Sequence, residues 1–131
     1  MSLKEFVEKE FIKAENDAWE KGDFRGLEKF LDPNMVIHMP PPLTDLTGLE
    51  AVKQFILGTR LAISNFKQSW QYLAGDGEVF ALLHKESGVF TSQFPGVPVG
   101  KEVTIEGLFV FRLKDGKVAE EWVRGGMTGS S

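Results

Sequence analysis

The sequence predicts an α+β domain in which helices come first, an antiparallel sheet follows, and the helices are segregated to one side of that sheet. Three observations carry this. Apolar spacing keeps a helical three-and-four rhythm up to about Leu61 and changes to a strand-like rhythm of two from about Phe66. The pairs Asp76-Gly77 and Asp115-Gly116 punctuate the second half as hairpin turns, because Asp-Gly tolerates positive φ. The chain has 131 residues, 42% of them hydrophobic and 26% charged, which suits one folded core and not two.

The first helix is expected over Leu3 to Lys21. Ser2 and Glu5 have the spacing of a capping box, and Phe6, Val7, Phe11, Ala14 and Ala18 form its apolar stripe. Gly22 stops it. Asp23 caps a short second helix, Phe24 to Phe30, which Pro33 ends. Asn34 to Met39 reads as a short strand. Pro40, Pro41 and Pro42 then forbid a continuing ladder and force a stiff loop. Thr47 with Glu50 predicts a capping box for a third helix, which buries Leu49, Val52, Phe55, Ile56 and Thr59 and ends near Arg60 or Leu61.

Four strands follow. Phe66 to Leu73 is the first, and Gly75-Asp76-Gly77 turns it into Glu78 to Gly88, with a possible extension to Phe94. Pro95 to Gly100 is a loop. Glu102 to Leu113 is a long strand, Asp115-Gly116 a turn, and Lys117 to Arg124 the last strand. In the long strand Val103, Ile105, Phe109, Phe111 and Leu113 share the core parity, yet Leu108 and Val110 make its other face apolar too. That second face suits a homodimer formed through the sheet, with an internal cavity, a curl of the same sheet or a thick core as alternatives. Residues 1–126 are expected to be one domain and 127–131 a loose tail.

Composition excludes several functions. The net charge is −4 and no basic run exists, so nucleic acid is not an expected partner. Cysteine is absent, which removes disulfides, thiolate nucleophiles and Cys-ligated metals. No apolar run approaches the length of a membrane span, and the charged N-terminus lacks a secretory pattern, so a cytoplasmic protein without membrane contact is expected.

The groups that could do chemistry are few. His38 ends the short strand, and His84 shares the parity of Phe80 and Leu82; a histidine near neutral pKa suits acid–base work. For each, the plain alternative is a structural histidine with one satisfied hydrogen bond. Carboxylates in strands are Glu86, Glu106, Glu120 and Glu121. Glu120 shares its parity with Val118, Trp122 and Arg124, so it reads as the pocket-facing member of the adjacent pair. Burial would raise its pKa into a useful range, unless Arg124 holds it as a buried ion pair. No metal-binding spacing such as HxxxH or HExxH occurs, and no serine has a nucleophile-elbow setting.

Phe94-Pro95-Gly96-Val97-Pro98-Val99-Gly100-Lys101-Glu102-Val103 resembles the F-x-G-x-P-x-G-K-x-V segment of the SnoaL-like polyketide cyclases. Gly107 through Arg112, Asp115-Gly116-Lys117-Val118 and Glu120-x-Trp122 continue the likeness, as do Ala18-Trp19-x-x-Gly22-Asp23-Phe24, Val36-x-His38-x-Pro40 and Thr47 to Val52. The resemblance covers about residues 5–124 and extends to the nuclear-transport-factor-2-like superfamily. It implies a cone-shaped fold, a curved sheet wrapped around the helices, an apolar pocket and a homodimer. It implies aldol-type ring closure by a poised base, with no cofactor and no metal. Carried onto this chain, it implies His38, His84 and Glu120 as catalytic candidates and Asn16, Trp19 and Trp122 as residues that meet a small apolar substrate; Phe80, which shares the parity of His84, is expected to line the same pocket. Two positions depart from the pattern. Gly126 stands where the family often has an aspartate, and Glu86-Ser87-Gly88 stands where it often has a Thr-His pair before glycine.

The leading reading is therefore proton transfer on a small apolar carbonyl compound. A binding module that holds an apolar ligand without chemistry is the second, and a hydrolase or dehydratase using the same cavity the third.

Overall fold

The computed structural model describes the backbone of residues 1–130 and the side chains of residues 1–126. Helical turns run from α1 (Leu3–Phe6) through a π-helical turn (Val7–Phe11) into α2 (Ile12–Lys21), so the expected first helix is continuous in chain but not uniform in pitch. Glu5 N donates to Ser2 Oγ and Ser2 N to Glu5 Oε1, the reciprocal cap expected from the sequence. The π turn buries Val7 and Phe11 together. Gly22 ends α2 at φ 69°, and its N–H reaches Ala18 O while Asp23 N reaches Asp17 O. Helix α3 (Arg25–Phe30) follows, with Asp23 Oδ1 accepting from Arg25 N.

Strand β1 spans Leu31–His38, starting three residues and ending one residue before the expected bounds. The expected Thr47 cap is corrected: Thr47 belongs to β2 (Leu46–Thr47), where it pairs with Val36, and Gly48 at φ 91° starts α4 (Leu49–Ala62) without a side-chain cap. The helix starts at Leu49, so the cap position falls to Gly48 and Thr47 stands one residue too early to cap it. Strands β3 (Ile63–Asp76), β4 (Val79–Phe90), β5 (Glu102–Lys114) and β6 (Lys117–Ser130) complete the sheet. The β6 backbone runs past the expected end at Arg124, pairing with β5 as far as Val103↔Ser130; Ser131 lies outside the described residues.

The sheet order is β2-β1-β6-β5-β4-β3. All neighbours are antiparallel except β1 and β6, which run parallel. The helices fill the inner face of this sheet, giving the cone of the α+β class foreseen. Phe11 of the π turn meets Phe80 and Phe111 edge-on at 5.3 and 5.0 Å, and those two rings stack at 4.8 Å. A second, smaller cluster gathers Ala62, Phe90 and Val103 under Phe94 and Val97. A cavity opens between the two.

One bulge decides which side chains face it. The β5–β6 register moves from Leu113↔Val118 to Arg112↔Glu120, so β6 advances two residues while β5 advances one. Ala119 is the extra residue. Val118 and Glu121 therefore both face inward, although their sequence parity differs, and Glu120 is turned outward.

Candidate functional site

The cavity has a volume of about 190 Å³, on the order of the space that holds a ring-sized apolar molecule. Its walls come from α4 (Val52, Phe55, Ile56), the proline segment Pro40 to Leu43, the turn at Phe94 to Val97, and the inner faces of β1, β5 and β6. The aromatic side is continuous: Trp19 meets Phe55 edge-on at 6.3 Å, and Phe55 meets Phe94 at 6.0 Å. Into this apolar space project His84, Glu86 and Glu121.

His84 and Glu86 stand on β4 two residues apart, on the face that also carries Phe80 and Leu82. His84 is 4% exposed. Trp70, its register partner on β3, stacks on it with ring centroids 3.9 Å apart, and Phe109 meets it edge-on at 5.2 Å. Burial pushes its pKa down to about 3, so the ring is neutral at physiological pH. Its Nε2 lies 2.9 Å from Gln68 Oε1, and Gln68 Nε2 donates to Asn16 Oδ1 at 3.1 Å.

Glu86 is a different case. Burial pushes its carboxyl up to about 7. Its Oε2 is buried and has no hydrogen-bond partner among the described residues, and the same holds for Trp70 Nε1. A carboxylate oxygen left in this way is destabilised until something donates to it or it takes a proton.

Glu121 enters from β6 and is 5% exposed, and Glu15 of α2 is 6% exposed. Burial lifts both, Glu15 to about 7 and Glu121 well above the ordinary carboxyl range. The Trp19 side chain opposes part of the Glu15 shift by hydrogen bonding, while the Glu15 charge raises Glu121 further. Two carboxyls that cannot both ionise hold a proton at neutral pH, and Glu121 is the one that reaches the cavity.

The residues singled out from the sequence divide into three groups. Trp19 and His84 line the cavity, and Asn16 sits behind His84 through Gln68. Phe80 is 1% exposed inside the aromatic core and lies outside the lining. His38, Glu120 and Trp122 lie on the outer face of the sheet. There His38 Nε2 is 2.6 Å from Glu120 Oε2, Trp122 stacks on the His38 ring at 5.5 Å, and Glu120 Oε1 is 3.1 Å from Arg112 Nη2. The pocket-facing position expected for Glu120 is corrected by the Ala119 bulge, which gives it to Glu121. The alternative weighed for Glu120, an ion pair with Arg124, is not what forms: Glu120 pairs with Arg112, and Arg124 Nη1 donates to the carbonyls of His38 and Val123.

Glu15 and Gln68 were not singled out from the sequence, and Glu86 and Glu121 were named there among the strand carboxylates without being assigned to the site. Two of them were within reach of pattern reasoning. Glu86 extends the inward parity of Phe80, Leu82 and His84, and Glu15 follows Phe11 by one helical turn.

A model of the SnoaL-like polyketide cyclase family matches residues 9–125. Among solved structures, the chain is similar to IdmH of Streptomyces antibioticus, a polyketide cyclase candidate, at 24% identity and a TM-score of 0.69, covering 87% of this chain and 88% of that one. It is also similar to TsrD of Streptomyces laurentii, at 19% identity and a TM-score of 0.77, with coverage of 95% and 90%. A third likeness is to a polyketide cyclase candidate of Acidithiobacillus ferrooxidans, at 20% identity and a TM-score of 0.72, with coverage of 95% and 91%. At these identities the structures speak to the fold. No curated protein matches the chain.

Proposed function

This chain belongs to the SnoaL-like polyketide cyclase family, and from that premise we propose that it is an acid–base catalyst acting, without a cofactor, on a small and largely apolar carbonyl compound. The observation that carries the reading is Glu86. Its carboxyl is held at about 7 by burial, and its Oε2 is unpartnered among the described residues beside an apolar cavity. A base half-ionised near neutral pH is matched to abstracting a proton next to a carbonyl.

In the proposed reaction Glu86 takes a C–H proton α to the substrate carbonyl. The bond pair becomes the enolate π bond, and charge moves onto the carbonyl oxygen. Glu121, protonated at neutral pH, donates a hydrogen bond to that oxygen. The enolate carbon then attacks a second carbonyl of the same molecule to close a ring, or is reprotonated at another carbon to isomerise it. In either case the proton held by Glu86 returns to the product, so the protein ends as it began. His84, neutral and fixed by Gln68, orients the substrate through its ring face and free nitrogen.

The test needs no natural substrate. β-Tetralone, a two-ring ketone with acidic α-protons, is incubated with the protein in deuterated water and its α-proton exchange followed by proton NMR. Exchange faster than in buffer, and lost in Glu86→Gln, supports the reading. Exchange equal in the two proteins overturns it and leaves a ligand-binding role for the cavity. The homodimer expected through the sheet is proposed on the outer face, where Leu108 is 43% exposed near half-buried Val110 and Trp122. Sedimentation of wild type against Leu108→Glu tests it.

A further inference from the structure

His38, Glu120, Arg112 and Asp45 form a chain of contacts that the proposed chemistry leaves unused. His38 Nδ1 is 3.0 Å from Asp45 Oδ2, and His38 Nε2 is 2.6 Å from Glu120 Oε2. Ionised carboxylates only accept hydrogen bonds, so both ring nitrogens must donate, and a ring with two N–H groups is an imidazolium. Glu120 is fixed from its other side by Arg112, at 3.2 Å from Nε and 3.1 Å from Nη2. The cationic ring is thereby tied to β6 and β5. Its remaining contact reaches forward to Asp45, whose second oxygen accepts from Met39 N at 3.2 Å.

Asp45 closes the segment that carries Pro40, Pro41 and Pro42. Those prolines and Leu43 form one side of the cavity mouth, opposite the turn at Phe94 to Val97. The two sides approach closely: a Cβ on Gly96 would lie 3.2 Å from Pro42 Cδ. The prolines make the segment stiff, so it moves as a unit about its ends. One end is β1 and His38, and the other is Asp45 and β2.

We infer that His38 is a positioning residue which, as an imidazolium bridging Glu120 and Asp45, latches the proline segment over the cavity mouth, and that loss of its second proton releases the latch and speeds ligand exchange. A neutral imidazole has one N–H and can serve one carboxylate. Glu120, held by Arg112 at the shorter contact, keeps it. Asp45 is left with Met39 N–H alone. The charged groups facing His38 are Asp45 from the segment, Glu120 from β6 and Arg112 from β5, with Arg124 donating to the His38 carbonyl at 3.2 Å. The two carboxylates favour the charged ring and raise its pKa, and the ring lowers theirs. The latch therefore holds between the lowered Asp45 pKa and the raised His38 pKa. It fails above the His38 pKa, and again in acid when Asp45 takes a proton.

This inference concerns regulation of the cavity proposed above as the active site and rests on that reading only for its biological meaning. The probe is phenylnaphthylamine, an uncharged apolar fluorophore, followed by stopped flow from about pH 6 to about pH 9. The expected result is that association and dissociation rates of the wild type both rise with pH by about two- to fivefold, the worth of a half-exposed ion pair. In Asp45→Ala both rates are fast and flat with pH, and in His38→Arg, which keeps a permanent cation, both stay slow. Wild-type rates that do not change with pH, or an Asp45→Ala protein that retains the dependence, overturn the latch. So does a probe that fails to enter at any pH. Glu86 itself titrates near about 7 inside the cavity, so the same proteins are also compared in a Glu86→Gln background, which should abolish α-proton exchange: a pH dependence that survives there and is removed by Asp45→Ala belongs to the latch, and one lost with Glu86 overturns it.

Discussion

His84 Nε2 lies 2.9 Å from Gln68 Oε1, and this contact fixes a proton as well as a ring. Gln68 gives its amide hydrogens to Asn16 Oδ1 at 3.1 Å, so its oxygen is turned to His84 and Nε2 must carry the hydrogen. The bare nitrogen is then Nδ1. With burial holding the pKa at about 3, nitrogen NMR should show His84 as one neutral Nε2–H tautomer across the whole range in which the protein is folded. Gln68→Leu would leave that N–H buried without an acceptor. It should lower stability by about 1–3 kcal/mol in chemical denaturation.

Glu86→Gln should separate stability from activity. In the unfolded chain this carboxyl ionises near 4.5, and in the fold near about 7. Between those values the unfolded state has already released a proton that the folded state keeps. Stability therefore falls as pH rises through that window, and the loss is constant above it. Its full size is on the order of 3 kcal/mol. Glu86→Gln should match wild type in denaturant midpoint near pH 4.5, exceed it on the alkaline side of about 7, and have no α-proton exchange. Wild-type exchange should rise with pH through about 7 and hold until Glu121 loses its proton.

Helix stripes, the Ser2–Glu5 cap, Gly22 and the Asp-Gly turns are local features, and each has its structural counterpart. His84 was legible because β4 alternates cleanly from Phe80 onward. Glu120 was misplaced because parity counting assumes an unbroken ladder, and the Ala119 bulge shifts every later β6 residue to the other face. Thr47 was misplaced for a related reason. A good cap residue is also a good strand residue, and the pairing with Val36 that decides between them is not local. His38 was read as a pocket residue but stands outside the cavity lining, because its two carboxylate partners come from Asp45 and from a strand 82 residues away in sequence, which spacing cannot reveal.

Glu121 should behave as a donor whose hydrogen matters and whose charge does not. It is held protonated by burial and by the neighbouring Glu15 charge. Glu121→Gln keeps an N–H donor at nearly the same place and should retain most of the α-proton exchange. Glu121→Ala removes the donor and should lower exchange about 10²–10³-fold, the loss seen when an oxyanion-stabilising group is deleted. Equal loss in the two variants would mean that the carboxyl itself moves the proton. Glu15→Gln removes the charge that lifts Glu121, so with an unchanged fold the alkaline limb of the pH profile, where Glu121 loses its proton, should move to lower pH.

Two glycines on adjacent strands should respond differently to the same added methyl group. Gly107 and Gly125 are paired across β5 and β6, both line the cavity, and His84 lies opposite Gly107 on β4. A Cβ at Gly107 would sit 3.0 Å from Phe109 Cε1, the edge of a ring that can turn by a few tenths of an ångström. A Cβ at Gly125 would collide with the Glu106 carbonyl oxygen and lie 2.7 Å from Gly107 Cα, both parts of the backbone. The first contact can relax through a side chain, and the second only by parting the strands. Gly107→Ala should therefore fold with a loss below about 1.5 kcal/mol and weaken phenylnaphthylamine binding by filling the cavity. Gly125→Ala should cost about 1–3 kcal/mol or more and lower the thermal midpoint well below that of Gly107→Ala. If the order of the two midpoints were reversed, the close approach of β5 and β6 beneath the cavity would not be the constraint that keeps glycine at position 125.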